Sequence, residues 1–192
     1  MKKIANILII TGIVLISYFC YQYLAMEKAQ NQSLTEAKER IENSERLKDG
    51  QSESGQLTFT AEHMEAFGTL EIPKLEKTIG IVEGADEDAL EKGVGHMSQT
   101  VFPGQGDQIV LSGHRDTVFR NFDKLGIGDQ FIVNMPYGDY AYEIRETEIV
   151  PEDDTSVVRK MGEEVLVVST CYPFHFVGNA PERFVAYAYP SN

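Results

Sequence analysis

The sequence has few cysteines and few basic residues, and each shortage limits what the protein can be. Cys20 lies inside a long uncharged run near the N-terminus, so Cys171 has no disulfide partner in its own chain. Lysine and arginine together number 17, against 30 aspartates and glutamates. Binding to nucleic-acid phosphates requires the opposite charge, so a nucleic-acid partner is not expected. The acidic excess favours solubility, and it could also favour partners that carry an amine.

Charge is also missing from residues 4–26, a run of 23 residues that follows Lys2 and Lys3. At about 1.5 Å per residue, a helix of this length crosses the roughly 30 Å hydrocarbon core of a membrane. A cleaved signal peptide has an apolar region of only about 7–15 residues. Residues 1–26 are therefore predicted to form an uncleaved signal anchor. The two lysines place the N-terminus in the cytoplasm and the remainder of the chain outside the cell.

The segment 27–56 is predicted to be a polar helical stalk and linker. Ser33 and Glu36 form a capping-box pattern, and apolar residues recur after them at helical spacing. Since these apolar residues are too few for a core, we expect the stalk to be mobile or only lightly packed. The final part, 51–55, reads as a flexible linker.

Residues 57–192 are predicted to form one domain built mostly of short strands. Seven or eight β-favouring segments are separated by turn signals, including a clear hairpin turn at 136–139. The alternation of apolar residues in the strand after this turn changes face near Glu146, which predicts a β-bulge. A closed or nearly closed β-barrel fits this pattern.

The stretch from Glu164 to Tyr189 carries the residues that can do chemistry. A β-favouring run leads to Cys171, and Arg183 begins a second strand twelve residues later. If these strands pair, Arg183 lies beside Cys171, where a permanent cation favours the thiolate that attacks carbonyls. A fixed guanidinium there can also donate hydrogen bonds to an oxyanion. The alternatives are a buried, inert thiol and a surface arginine paired with an acid.

A cysteine nucleophile needs a group that gives a proton to the departing amine, and four histidines could provide it. His114 is predicted to do so, because it ends a strand as Cys171 does, and two strand ends can meet at one rim of a barrel. His175 follows Cys171 in the same loop and is the competing candidate. His96 has apolar neighbours and is predicted to be structural, and His63 lies before the first clear strand.

Two further possibilities remain open at this stage. Arg115 and Arg120 adjoin the predicted general acid and compete with Arg183 for the role of the cation. The acids at 152–154 could hold a calcium ion, but they do not match an EF-hand loop, and a run of charge is usually just solvated. We therefore expect no metal and no cofactor.

Three motifs together resemble the sortases of Gram-positive bacteria. They are Thr170-Cys171 at one strand end, the sequence SGHRD at 112–116 at another, and Arg183. Two longer segments are similar to class D sortases in particular: TCYPFHFVGNAPERF at 170–184 and LSGHRDTVFRNF at 111–122. The second hydrophobic segment and the lid that class C members usually carry are not found in the sequence, so the resemblance favours class D.

The resemblance implies a closed eight-stranded sortase-type β-barrel with short helices and the activity of a membrane-bound cysteine transpeptidase. Cys171 would attack the threonine carbonyl of an LPxT-type sorting signal in a secreted protein, and a thioacyl-enzyme would form. His114 would protonate the leaving amine, and Arg183 would hold the substrate and the oxyanion. Thr170 and His175, beside the nucleophile, are candidate substrate-binding residues.

The partners follow from the same resemblance. They are secreted proteins with a C-terminal sorting signal, an amine of a peptidoglycan precursor or cross-bridge, and the bacterial membrane, with the catalytic domain on the outer face. Two rival functions remain: a hydrolase that uses the same three groups with water as acceptor, and a membrane-tethered binding module whose thiol is incidental.

Overall fold

The computed structural model describes residues 2–48, 59–176, 178 and 180–191. Helix α1 spans Lys2–Lys48, and a short helix α2 spans Glu87–Lys92. The linker predicted at 51–55 lies outside the described residues. Within them there are eight strands: β1 Ala66–Ile72, β2 Lys77–Glu83, β3 Val94–His96, β4 Gln108–Gly113, β5 Gln130–Met135, β6 Gly138–Pro151, β7 Val165–Tyr172 and β8 Glu182–Pro190.

The eight strands close into a barrel in the order β1-β2-β3-β4-β7-β8-β6-β5. Most neighbours are antiparallel, but β2 pairs with β3 and β4 pairs with β7 in parallel. Helix α2 makes the connection that parallel pairing of β2 and β3 requires. The predicted closed β-barrel is therefore confirmed.

Two local predictions within the barrel are also confirmed. The turn at 136–139 joins β5 to β6, with Met135 opposite Gly138 in the ladder. The register of β6 against β8 shifts between Ile144 and Glu146, which is the bulge that the change of face predicted.

Alternation along the strands gives the barrel two apolar faces. In β7, Leu166 and Val168 point into the barrel core, whereas Val165 and Val167 belong to a second cluster on the outer face. Val157 from the long β6–β7 connection packs on that outer cluster. This connection therefore covers part of the outer surface of β4, β7 and β8.

The first half of α1 exposes its apolar residues. Every isoleucine, leucine, valine, phenylalanine and tyrosine side chain from Ile4 to Leu24 is more than half exposed. The helix is long and apolar enough to cross a membrane, judged by its length and composition. This agrees with the predicted signal anchor.

The second half of α1 packs firmly on the barrel, so the prediction of a mobile or lightly packed stalk was wrong. Ala37 is fully buried in a cluster with Ala66, Val82 and Ala89. A Cβ atom at Gly80 of β2 would lie 2.9 Å from the backbone nitrogen of Leu34, so only glycine lets the helix come this close.

Hydrogen bonds and an ion pair hold the same interface along its length. The hydroxyl of Ser33 donates to the carbonyl of Lys92, and that of Ser44 donates to the carbonyl of Pro136. Between them, Arg40 pairs with Glu65. Small and polar residues, rather than large apolar ones, make this contact, and for that reason hydrophobic periodicity did not indicate it.

Candidate active site

Cys171 and Arg183 are brought together by the pairing of β7 with β8. They are directly opposite one another in the antiparallel ladder, and no register shift interrupts it. Opposed residues point to the same face of a sheet. The prediction that Arg183 lies beside the thiol is confirmed at the level of the backbone.

His114 reaches the same place from the other side of β7. The parallel ladder between β4 and β7 ends with Gly113 opposite Thr170, so His114 and Cys171 are the next residues on each strand. The imidazole is half-buried. Within the described residues it makes no hydrogen bond or ion pair, and it is therefore available to a substrate.

Gly113 is required by packing. A Cβ atom there would lie 2.6–2.8 Å from side-chain atoms of Val118 and Phe119. The chain turns back immediately after the strand, and the amide of Phe119 donates to the carbonyl of His114 at 3.1 Å. The glycine thus lets the turn close tightly against the strand that presents the imidazole.

The outer face that carries these residues contains a cavity of about 430 Å³. Ser112 lies two residues before His114, and Ser169 lies two residues before Cys171. Both serines line the cavity together with Arg183. Its floor is apolar and is formed by the following valines: Val110, Val150, Val157 and Val185. The cavity is therefore a largely apolar groove that reaches Arg183 and ends two residues before His114 and Cys171.

The Arg183 guanidinium is held at this groove by acceptors from two loops. Nη1 donates to the carbonyls of Ala180 and Glu182 at 3.2 and 3.1 Å. Nη2 lies 3.5 Å from a carboxylate oxygen of Glu152, in the β6–β7 connection. The ion pair is partly exposed, so its contribution to stability is small, under about 1 kcal/mol. The two carbonyl bonds hold the guanidinium in place at the groove, and the weak ion pair is easily exchanged for a ligand.

Arg115 has a different role from the one considered for it as a competitor of Arg183. Its side chain is buried and donates to three carbonyls in the β7–β8 loop, those of Pro173, Phe176 and Gly178, at 2.6–3.0 Å. The residue after His114 therefore holds the loop that follows Cys171. Sequence reasoning missed this function, because backbone carbonyls carry no signature in a sequence.

Thr170 does not face the groove, and its predicted role in substrate binding needs correction. The side chain is buried on the inner face, and its hydroxyl donates to the carbonyl of Gly113 at 2.7 Å. This bond ties the end of β4 to the end of β7. Thr170 is thus placed to fix the distance between the two strand ends that carry His114 and Cys171.

The other histidines differ sharply in their surroundings. His96 is buried, with Nδ1 2.7 Å from a carboxylate oxygen of Glu83 and Nε2 3.1 Å from the carbonyl of Val101, which confirms a structural role. His175 has a side chain that is 88% exposed, in the loop after the nucleophile. Its role in substrate binding stays a prediction.

Two of the three acidic residues considered for calcium have partners within the protein. Glu152 pairs with Arg183, and Asp154 accepts a hydrogen bond from the amide of Ser156 at 2.8 Å. In the described part of the chain, no three His, Cys, Asp or Glu side chains converge on a point that could hold a metal ion.

Comparison with known proteins points in one direction. A family model described as "Sortase domain" matches residues 70–191. Sortase D of Bacillus subtilis (strain 168) is 42% identical over 193 residues, which cover 97% of this chain and 98% of that protein.

Solved structures agree. The catalytic domain of SrtD from B. anthracis is 37% identical, with a TM-score of 0.59 over 72% of this chain and 97% of that one. A Sortase D5 transpeptidase of Clostridium perfringens has a TM-score of 0.70 at 24% identity, covering 86% of this chain and 99% of that one. The second likeness concerns the fold alone.

Proposed function

The chain belongs to the sortase family of cysteine transpeptidases, and from that premise we propose that it cleaves an LPxT-type sorting signal of secreted proteins after the threonine. The acyl group is then transferred to an amine of the cell wall. The single observation that supports the proposal is the register of β4, β7 and β8, which sets Cys171 opposite Arg183 and, on its other side, next to the position that follows Gly113, which is His114. A thiol, an acid–base group and a fixed cation are the groups that acyl transfer to an amine needs.

In the proposed first step, the Cys171 thiolate attacks the threonine carbonyl and forms a tetrahedral intermediate. Arg183 donates hydrogen bonds to the oxyanion as its charge develops. His114 gives its proton to the departing amine, and a thioester between Cys171 and threonine remains. An incoming amine then attacks the thioester, His114 takes up the proton from that amine, and the thiolate is restored.

The floor of the groove lies where the residues that precede the threonine would fall, because Val185 and Val110 are opposite Ser169 and Val167, two and four positions before Cys171. An extended peptide advances about 3.3 Å per residue, so the three residues Leu-Pro-x span about 10 Å. This is the length of about three residues of β7, which reach from Cys171 back to Val168. With the threonine at Cys171, the leucine lies over the apolar floor formed by residues such as Val110 and Val185.

The same proposal places the enzyme in the membrane as a single-pass protein with its barrel outside the cell. The exposed apolar half of α1 supports this location, because it is long enough to span the hydrocarbon core and its large hydrophobic side chains are exposed. Lys2 and Lys3 orient the helix with its N-terminus in the cytoplasm.

The test is a reaction of the detergent-solubilised full chain with an LPxT-containing peptide, with and without a small amine acceptor. We expect a peptide–amine ligation product and, by mass spectrometry, an acyl adduct on Cys171; Cys171→Ala gives neither. Hydrolysis alone, at every acceptor concentration, would establish the hydrolase instead. Turnover that is unchanged in Cys171→Ala would exclude both enzymes that use this thiol.

A further inference from the structure

The loop that follows the catalytic histidine lies beside the part of α1 where the apolar run ends. We call residues 115–121 the rim loop. Three of its members, Asp116, Thr117 and Arg120, line a cavity of about 270 Å³ together with residues of α1 between Tyr23 and Gln30. The rim loop and the outer end of the predicted membrane span are therefore at the same height along the helix.

We propose that the rim loop rests on the phospholipid headgroups of the outer leaflet, so that the active-site end of the barrel opens at the membrane surface. This proposal rests on the membrane anchoring in the proposed function. Beyond that function, it identifies the surface of the barrel that contacts the lipid.

The height of the loop follows from the continuity of α1. The helix runs unbroken from Lys2 to Lys48, so position along it can be counted at about 1.5 Å per residue. The uncharged run ends at Met26, and Gln30 is only about 6 Å farther out. The headgroup layer on each side of a bilayer is about 5–7 Å thick. The rim loop, beside Tyr23 to Gln30, therefore lies at headgroup level.

The opposite end of the barrel is fixed far from the membrane by the same helix. Ser44 donates to the carbonyl of Pro136 in the β5–β6 hairpin. Ser44 is 18 residues beyond Met26, or about 27 Å along the axis. The hydrogen bonds of Ser33 to Lys92 and of Ser44 to Pro136, with the buried Ala37 between them, keep the barrel upright beside the helix.

The side chains at the lower end suit a phosphate surface. Lys77 donates to the carbonyls of Val118 and Arg120 at 3.1 and 3.0 Å and thereby stiffens the rim loop. Arg120 is exposed and spends two of its donors on the carbonyl of Asp116. Its remaining donors are available to lipid phosphates. Because the barrel as a whole is acidic, anionic lipid repels it. The rim loop is therefore held against the headgroups by its attachment to α1.

The wild-type sequence contains no tryptophan, and this permits a direct test with single-tryptophan variants. Asp116 in the rim loop and Asp139 in the β5–β6 hairpin are both exposed. Asp116→Trp and Asp139→Trp are therefore matched substitutions at opposite ends of the barrel. The full chain carrying each one is reconstituted into phosphatidylcholine–phosphatidylglycerol vesicles, with and without acyl chains brominated near the headgroup.

We expect the bromolipid to reduce the fluorescence of Asp116→Trp at least about twofold and to leave that of Asp139→Trp unchanged. Arg120→Trp serves as a second reporter should the first variant fail to fold, and it is expected to behave as Asp116→Trp does. Equal quenching at 116, 120 and 139, or quenching at none of them, overturns the proposal.

Flotation of the same vesicles separates this failure from failure of the proposed function. Protein that floats with the vesicles but shows no quenching at the rim loop is anchored, with its barrel away from the lipid. Protein that does not float lacks the anchoring, and the proposed membrane location and the proposed lipid contact are then both wrong. Neither readout depends on catalysis.

Discussion

Cys171 and Arg183 are cross-strand neighbours at the end of the β7–β8 ladder, although twelve positions separate them in the sequence. Residues opposed in this way have Cβ atoms about 4.5–5.5 Å apart, within reach of one small ligand group. The β7–β8 loop turns the chain back so that a strand end supplies the thiol and a strand beginning supplies the cation. The geometry of the pair is therefore determined by backbone hydrogen bonds rather than by flexible side chains.

The first prediction concerns this cation. Arg183→Lys keeps the charge but loses the planar guanidinium, so we expect turnover of an LPxT peptide to fall about 10²-fold or more. The melting temperature should change little, because the ion pair with Glu152 is partly exposed. Steady-state kinetics and a thermal melt measure the two effects.

A matched control for this substitution is Arg145→Lys, on the part of β6 away from the groove, which should keep wild-type turnover. If Arg183→Lys also turns over at the wild-type rate, Arg183 does not serve the oxyanion, and another arginine near His114 must be tested for that role.

The second prediction concerns the pH dependence of the reaction. In the proposed mechanism Cys171 attacks as thiolate while His114 donates a proton, so rate against pH should be bell-shaped, with limbs that belong to the coupled pair. His114→Ala should remove nearly all turnover and flatten the bell. His175→Ala should keep the bell and raise KM.

Full pH–rate profiles of both variants distinguish the two histidines. A bell that persists in His114→Ala and disappears in His175→Ala would make the loop histidine the acid, and the assignment across two strand ends would be wrong.

The third prediction tests Arg115 as a positioning residue. Arg115→Met removes the donors from three loop carbonyls, so the loop that carries His175 should lose its fixed position, and KM for the peptide should rise about tenfold or more. Arg115→Lys should recover part of this loss, since it restores one or two of the hydrogen bonds. The exposed Arg120→Met is the control and should leave KM unchanged.

A purely structural role would lower the melting temperature of Arg115→Met without changing KM below that temperature. Measurement of kcat and KM separately, well below the melting temperature of each variant, decides between the two roles.

The fourth prediction concerns stability in acid. Burial alone would raise the pKa of Glu83, but hydrogen bonds from His96 and Ser98 outweigh it and hold this pKa below its usual value of 4.5. A carboxylate whose pKa is lowered in the native state stabilises the fold above its unfolded pKa, and this contribution is lost as pH falls through the lowered value. The free energy of unfolding should therefore decrease below about pH 4.5.

Glu83→Ala should abolish that part of the acid dependence and leave the buried His96 without its partner. Removing one member of a buried pair costs about 3–5 kcal/mol, or a fall in melting temperature of roughly 10 °C for a domain of this size. Glu163→Ala, at an exposed position, is the control. Equal melting temperatures for the two variants at pH 7 would contradict the prediction.

The fifth prediction concerns the stalk. A chain of residues 56–192 should fold and act on a soluble peptide, but it should melt about 3–6 °C below a chain of residues 28–192, because the cluster around Ala66 and Val82 loses its cover. Ala37→Glu in the longer chain should reproduce this loss, and the exposed Thr35→Glu should not. Identical melting temperatures for the two chains would show that the helix adds no stability.

Much of the barrel and of the site could be predicted because the signals are local. Alternation and turn residues marked the strands, and the loop from Cys171 to Arg183 was short enough to imply that β7 pairs with β8. The partner of a strand across a long connection carries no such mark. Nothing in the sequence of β4 indicates that it runs parallel to β7. The approach of His114 to Cys171 was therefore predicted only from the argument that two strand ends can lie at the same rim of a barrel.

The parts that were missed share a physical cause. Arg115 acts on carbonyls, and the stalk contacts the barrel through glycine, alanine and serine. In both cases one partner is backbone or a very small side chain, whose position depends on the tertiary fold and not on residue type. Thr170 was misassigned because adjacency to the nucleophile in sequence places a residue on the opposite face of a strand.

The hydrogen bond from Thr170 to the carbonyl of Gly113 joins residues 57 positions apart, and it has a consequence for folding. Contacts between such distant segments form late, because the entropy of closing a long loop must be overcome before they contribute. In a chain that has not yet closed its barrel, Cys171 and His114 are therefore still apart. Under the proposed mechanism, activity arises only when the barrel closes, so an incompletely folded chain would not acylate itself with the proteins around it.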